Sequence, residues 1–303
     1  MSNRFQRGLR AILLGIVVNV LLGAAKFLAG IFGHSHALIA DATESFADIF
    51  NSLIMWRAIT VAAAPADEDH PYGHGKAEPL AGAFGAIMLL VAAGWIMAKA
   101  GWNINEWLHG ISRPQPEWFT LVALGLVVLV KEGMFRFVAR EGADTDNTAV
   151  TTDAWHHRSD AITSVAAAIG ITVALIGGPR WVCADDVAAI FAAIIIGWSG
   201  LRLLRPALGE LMDQAPDPEI IDQIRQIAAG TEGVASVEKC FVRKAGHLLF
   251  VEMHVEVDPQ MTVLRSHEIA HAVKDKVRDS MPSVGDVLVH IEPLNIKAPR
   301  KRQ

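Results

Sequence analysis

Six apolar runs dominate the chain, each long enough to cross a bilayer, which takes roughly 20 residues of helix. They lie near residues 9 to 32, 37 to 62, 79 to 101, 117 to 139, 149 to 177 and 182 to 204. Hydrocarbon offers no partner for backbone amides, so such runs fold as helices and little else. The fourth run is the weakest, since its uninterrupted apolar stretch ends at Lys131 and Glu132, after which the helix is expected to continue into water. Across 303 residues, 52% hydrophobic content, 19% charge and a mean hydropathy of +0.32 fit a membrane protein better than a soluble one.

Basic residues set the expected orientation, because short loops rich in Lys and Arg stay in the cytoplasm. Arg4, Arg7 and Arg10 precede the first run, Lys131, Arg136 and Arg140 follow the fourth, and Arg202 and Arg205 close the sixth. The loop "FGHSHA" carries neither Lys nor Arg. Six crossings then place both termini in the cytoplasm of a multi-pass protein of the cell inner membrane. The basic start also resembles a signal peptide, but its run is long and five more follow, so it reads as a retained helix.

From about residue 208 the pattern changes. "PDPEIIDQIRQIAAG" reads as an amphipathic helix closed by Gly230. "VASVEKCFVRKAG" and "HLLFVEMHVEVD" alternate like paired strands, "SHEIAHAVKDKVRDSM" is helical, and "VGDVLVHIEP" is a last strand. The expected organisation is a six-helix transmembrane transport domain over 1–207 and an α+β cytoplasmic domain (αββαβ) over 208–303 with a basic C-terminal tail. Cys183 and Cys240 fall in different compartments on this topology and are expected to be free. A net charge of −5 without a basic stripe speaks against nucleic acid.

Ionisable residues inside hydrocarbon are costly and mark function. "ADATESFADIFNS" carries Asp41, Glu44 and Asp48 at i, i+3, i+7, one helical face; "TDAWHHRSDAITS" carries Asp153, His156 and Asp160 at the same spacing. The two segments share Asp, Ala, Asp and Ser at matching places, which suggests an inverted three-plus-three repeat with its site between the halves. Glu44 with Asp48 and His156 with Asp160 supply three oxygens and one imidazole nitrogen, a set suited to a divalent first-row ion. The alternative is that these groups satisfy one another by hydrogen bonds in a bundle. Asp41 and Asp153 fit either a ligand or a structural role.

A second cluster lies in "PADEDHPYGHGKAEP", where Asp67, His70 and His74 could bind a metal or form a solvated turn, with His157 and Arg158 as weaker extras. The segment "SHEIAHAV" has the H-E-x-x-H order of helical metalloproteases, but such enzymes also need a third ligand and a cleft, and nothing resembling these accompanies it. Ile269, Val273 and Val277 mark the face of that helix turned to the sheet. Three function classes therefore compete: a metal/proton antiporter, an intramembrane metalloprotease and a non-transporting metal sensor.

"LIADATESFAD", "HPYGHGKAE", "DAWHHRSDAITS" and "ELMD", in this order, resemble the cation diffusion facilitators, from about residue 9 to 293. The resemblance implies a homodimeric exporter of divalent metal ions, driven by proton exchange through alternating access, whose cytoplasmic domain is metallochaperone-like. It is no enzyme and has no cofactor; a divalent metal is its substrate and a regulatory ligand. The transport site would be Glu44, Asp48, His156 and Asp160, and the loop site Asp67, His70 and His74. An interhelical charge pair would join Lys76 and Asp213. Glu238, His254, His267, His290 and Glu292 would form a cytoplasmic site between subunits, with His247 and His271 expected only at the surface. Three departures stand out: Glu44 where the family has Asp or His, Glu238 where it more often has His, and Glu292 where it more often has Asp. The oxygen-rich set at Glu44 should relax preference for zinc, ranked first, and admit Fe2+, Co2+, Mn2+ and Cd2+. No G-x-x-x-x-G-K-[ST] loop for ATP is present.

Overall fold

The computed structural model describes the backbone of residues 3–111, 114–145 and 148–294, and side chains within 17–111, 114–140, 158 and 160–294. Six long helices come first: α1 (Asn3–Phe32), α2 (His36–Ala62), α3 (Ala77–Leu108), α4 (Phe119–Thr145), α5 (Thr148–Gly177) and α6 (Cys183–Leu211). A smaller run follows: α7 (Pro218–Ala229), β1 (Ser236–Ala245), β2 (Leu248–Val257), α8 (Val263–Ser280) and β3 (Val284–Pro293). Among the described residues, three stretches are long and apolar enough to cross a membrane: Ala77–Leu108, Asp160–Trp181 and Cys183–Leu211. Val17–Phe32 is apolar but shorter. The chain divides into two compact units, residues 1–54 with 84–204, and residues 55–83 with 205–303.

In the first unit the helices meet through small side chains. Ala40 of α2, Ala93 and Ala100 of α3 and Ala189, Ala192 and Ala193 of α6 pack with Leu89, Ile96 and Ile196. Ala37, Leu38, Leu124, Ala167 and Ile171 join α2, α4 and α5. Lipid tails are as apolar as leucine, so helices in a bilayer gain mainly from close backbone approach, which small residues permit. Gly170 is such a point, since a Cβ there would fall 2.3 Å from the Cβ of Ala188. The large apolar side chains Trp95, Leu129, Ile176 and Trp198 point outward, as lipid contact requires.

Long-range polar bonds fix the start of α2. The Asp185 carboxylate accepts from Ser35 Oγ (2.6 Å) and His36 N (2.6 Å) and lies 3.4 Å from Ala37 N. It thus satisfies amides that a helix N-terminus leaves without partners. One residue on, Asp186 accepts from Asn103 Nδ2 (2.7 Å), which ties α6 to α3.

The second unit holds a three-stranded sheet in the order β1-β2-β3, β1 antiparallel and β3 parallel to β2. Alternation decides its faces. Val251, Met253, Val255 and Val257 turn inward and pack with Ile224 and Ala228 of α7 and Ile269, Val273 and Val277 of α8. Each fully buried aliphatic side chain contributes about 1.5–3 kcal/mol. Asp217 caps α7 through Glu219 N, Pro218 opens it and Gly230 ends it. Thr262 caps α8 through Arg265 N. These elements agree with the alternation and the Gly230 stop expected from the sequence, as does the buried face of α8, although α8 begins three residues earlier than expected, at Val263. Cys183 and Cys240 are both free.

One expectation is corrected. Lys131 does not mark the emergence of the fourth helix into water: its side chain is 1% exposed and bonded inside the helix bundle. A flexible stem and a buried carboxylate partner let a lysine sit where hydropathy alone would end the buried stretch.

Candidate metal sites

Glu44 and Asp48 of α2 are half-buried, and Asp160 of α5 is 7% exposed. The carboxylates of Asp160, Asp41 and Asp48 lie close enough to Glu44 to act on it electrostatically. Glu44 Oε2 is buried and has no hydrogen-bond partner among the described residues. A buried acceptor left this way is costly unless a cation or proton reaches it. The side chains of Asp153, His156 and His157 lie outside the described residues. Arg158 places its guanidinium over the Phe135 ring, 4.8 Å from the centroid.

Two buried lysines complete this region; sequence reasoning did not name Lys26 and gave Lys131 no role here. Lys26 of α1 is fully buried; its Nζ lies 3.0 Å from Asp41 Oδ2 and donates to Ser45 Oγ at 3.0 Å. Asp41 Oδ2 also accepts from Ser164 Oγ of α5 at 2.8 Å. Lys131 of α4 donates to Asp160 Oδ2 at 2.5 Å and to Asn19 Oδ1 of α1 at 2.6 Å. Asp41 is thereby engaged by both Lys26 and Ser164. The available signal was a lone lysine inside an otherwise apolar run in "GAAKFLAG", and a lysine at the end of the apolar run in "VVLVKEGM".

In the second unit, Asp67, His70 and His74 each offer a ligand atom, all within 4.8 Å of one another. Asp67 Oδ1 accepts from His70 N at 2.7 Å and stands 3.1 Å from His70 Nδ1, while Asp67 Oδ2 is 3.3 Å from His74 Nε2. The His70 backbone bond, with the two imidazoles, holds the Asp67 carboxyl below its ordinary value despite slight desolvation. His74 Nδ1 is buried without a partner among the described residues. Positive φ at Gly73 (77°) makes the turn that brings His74 back toward Asp67.

The same loop is anchored to the β1–β2 hairpin and the end of α6. Gly75 packs so tightly that a Cβ would lie 2.4 Å from the Ala245 carbonyl oxygen. Lys76 Nζ donates to Asp213 Oδ1 (2.7 Å) and to the Glu210 carbonyl (2.5 Å). Arg243 approaches Asp213 at 3.6 Å and stacks over Tyr72, and Glu210 accepts from Gly246 N at 2.8 Å. The Lys76 hydrogen bond, reinforced by its charge and by Arg243, holds the Asp213 carboxyl below the usual carboxylate range.

On the sheet face away from α7 and α8, His254 pairs in register with His290, and Glu292 follows two residues on along β3. His254, His290 and Glu292 gather within 4.8 Å. His254 Nδ1 is 2.6 Å from Glu292 Oε1 and 3.9 Å from Glu238 Oε2, and His290 Nε2 is 3.6 Å from Glu292 Oε1. Glu238 falls at the register break of β1, where a bulge re-aims a side chain. Burial pushes the Glu292 carboxyl up, but hydrogen bonds with Glu238 and His254 and the charges of His254 and His290 win and hold it low. His267 is not brought to this group within the chain; it stacks edge-on against His271 at 4.6 Å. Glu268 is bound by Arg265 at 2.9 Å, and His247 is exposed in the hairpin turn.

Long apolar helices carrying buried carboxylates, followed by a small sheet domain with histidine–carboxylate clusters, define a multi-pass membrane protein equipped for divalent cations. Residues 12–212 match the cation efflux transmembrane domain, and residues 216–294 match the cytoplasmic domain of cation efflux proteins. The chain belongs to the cation diffusion facilitator family. It is 30% identical to the manganese efflux system protein MneP of Bacillus subtilis, covering 96% of this chain and 98% of that protein. It is 31% identical to metal tolerance protein 2 of Oryza sativa subsp. japonica (94% and 79% covered) and 30% identical to magnetosome protein MamB of Magnetospirillum gryphiswaldense (88% and 88%). A cadmium form of the MamM C-terminal domain aligns at 28% identity with a TM-score of 0.25, covering 26% of this chain and 98% of that one. The chain is a divalent-metal efflux protein of a membrane.

Proposed function

We propose that this protein exports divalent first-row metal ions from the cytoplasm by exchange for protons, as a six-span homodimer with both termini inside the inner membrane. Residues 1–207 carry transport and 208–303 form the cytoplasmic domain. The observation that carries this reading is the buried Glu44 oxygen left without a hydrogen-bond partner among the described residues, on a carboxylate close enough to Asp160, Asp41 and Asp48 to feel their charges. His156, four residues before Asp160 in the sequence, is the proposed fourth ligand; its side chain lies outside the described residues. Zinc ranks first on affinity order, and the three-oxygen donor set also admits Mn2+, Fe2+, Co2+ and Cd2+. Metal binding needs ionised carboxylates and a neutral imidazole, so protons and metal compete for the same atoms. Alternating access then couples outward proton pressure to metal release without ATP.

The loop and sheet clusters fit regulation. Metal at Glu238, His254, His290 and Glu292, joined by His267 of a second copy, would stabilise the dimer by mass action. Asp67, His70 and His74 would form a loop site beside the Lys76–Asp213 pair.

Proteoliposomes with an imposed pH gradient and a panel of Zn2+, Mn2+, Fe2+, Co2+ and Cd2+ test the reading. Asp48→Ala and His156→Ala should each lower flux by more than about a hundredfold, beyond what loss of a supporting residue costs. A sensor or scaffold would tolerate both substitutions, and retained flux with either would remove that residue from the ion's path.

A further inference from the structure

We propose that the Lys131 ammonium is a tethered competitor of the transported ion: it holds Asp160, and an arriving metal must displace it toward Asn19. The inference rests on the reading of Asp160 as a transport ligand.

The contrast between the two buried lysines carries it. Lys26 pairs with Asp41, whose Oδ2 is also claimed by Ser164, while Ser45 takes a further bond from the ammonium. Every group in that set is bound to another member of it, so it reads as a fixed strut. Lys131 differs, because its carboxylate partner belongs to the proposed ligand set. Its nitrogen stands 2.5 Å from Asp160 Oδ2. A metal bound to that oxygen at about 2.0–2.2 Å would compete for the same lone pairs. Were the metal to take the other oxygen, the ammonium would remain within a few ångströms of a divalent cation in a dry interior, where charges are poorly screened. In either case the lysine weakens metal binding.

The second anchor gives the displaced charge somewhere to go. Asn19 Oδ1 accepts from the same nitrogen at 2.6 Å, and a lysine stem with four rotatable carbons swings between acceptors without backbone movement. Asn19 lies on α1, Lys131 on α4 and Asp160 on α5, so the ammonium bridges three helices. Lys131 is thus a specificity-determining and positioning residue: it sets how strongly a cation must bind to enter, and its return to Asp160 helps the ion leave. Buried charge is retained in membrane proteins at a cost, and that cost is consistent with a role in the ion pathway.

The test is Zn2+ and Mn2+ flux in proteoliposomes of the full-length protein, read as KM and kcat separately. Lys131→Met should lower KM by about tenfold or more, the scale of removing one nearby charge, and should also lower kcat because the tightly held ion leaves slowly. Lys131→Arg, which keeps the charge, should move KM back toward wild type. Asn19→Ala removes the second anchor and leaves the ammonium on Asp160, so KM should rise by about threefold, the weight of one hydrogen bond. A merely structural lysine would lower kcat or yield without lowering KM. KM unchanged or raised in Lys131→Met overturns the proposal; should that variant not fold, an unchanged or lowered KM in Asn19→Ala overturns it instead. Asp160→Ala in the same vesicles separates the two readings. If it abolishes flux while Lys131→Met leaves KM alone, only this inference fails; if it transports like wild type, the transport-site reading fails first.

Discussion

The carboxylates of the helical unit and those of the sheet domain face the same electrostatic problem and meet it differently. On the sheet, Glu292 and Glu238 stand beside His254 and His290 with all four side chains partly exposed, so histidine and solvent can share the work of stabilising charge. Between the helices Asp41 and Asp160 are buried, and each is paired with an ammonium, Lys26 and Lys131, both nearly inaccessible. A charge cluster in a dry interior brings its own counter-ions from neighbouring helices, whereas a surface cluster is built from one sheet and stays open to exchange.

That contrast can be broken experimentally, most forcefully at Lys26. Lys26→Met leaves Asp41 as an uncompensated buried charge and should destabilise the detergent-solubilised protein by about 3–5 kcal/mol. The double variant Lys26→Met/Asp41→Leu should recover most of that loss in thermal unfolding. Failure of the recovery would mean the pair does more than neutralise charge. Next in size is the sheet domain's apolar side: Ile269→Ala empties a buried position under α8 and should cost about 2–5 kcal/mol, with little effect on transport-site affinity for Zn2+.

The smallest effect is expected at the surface pair Lys76–Asp213. The folded Asp213 carboxyl titrates below its unfolded value, so its stabilisation is fully present above the unfolded value and disappears as pH falls through the folded one. Because both side chains are more than a third exposed, the gain is less than about 1 kcal/mol. Unfolding midpoints of wild type and Asp213→Asn should differ slightly at pH 7 and converge toward pH 3. A constant difference across that range would show that Asp213 acts by shape and hydrogen bonding rather than by charge.

Much of the fold was legible because periodicity is local. The alternation of "FVEMHVEV" foretold β2, and Ile269, Val273 and Val277 foretold the buried side of α8. The acidic spacing in α2 likewise placed Glu44 and Asp48 on one face. What escaped were pairings across distance. Lys131 meets Asp160 29 residues later, and Ser35 meets Asp185 150 residues later; no periodic pattern encodes such partners. Hydropathy even pointed the wrong way at Lys131, because it scores a residue by type and cannot see the carboxylate waiting for it. The bulge that turns Glu238 toward His254 was equally silent, since it depends on the register of two strands.

The cap on α2 has a mechanical meaning. Asp185 clasps the first amides of α2 from the opening turn of α6, so the helix that bears Glu44 and Asp48 is riveted at that end to a partner far along the chain. A displacement of the start of α2 would therefore have to break these bonds or take the opening turn of α6 with it.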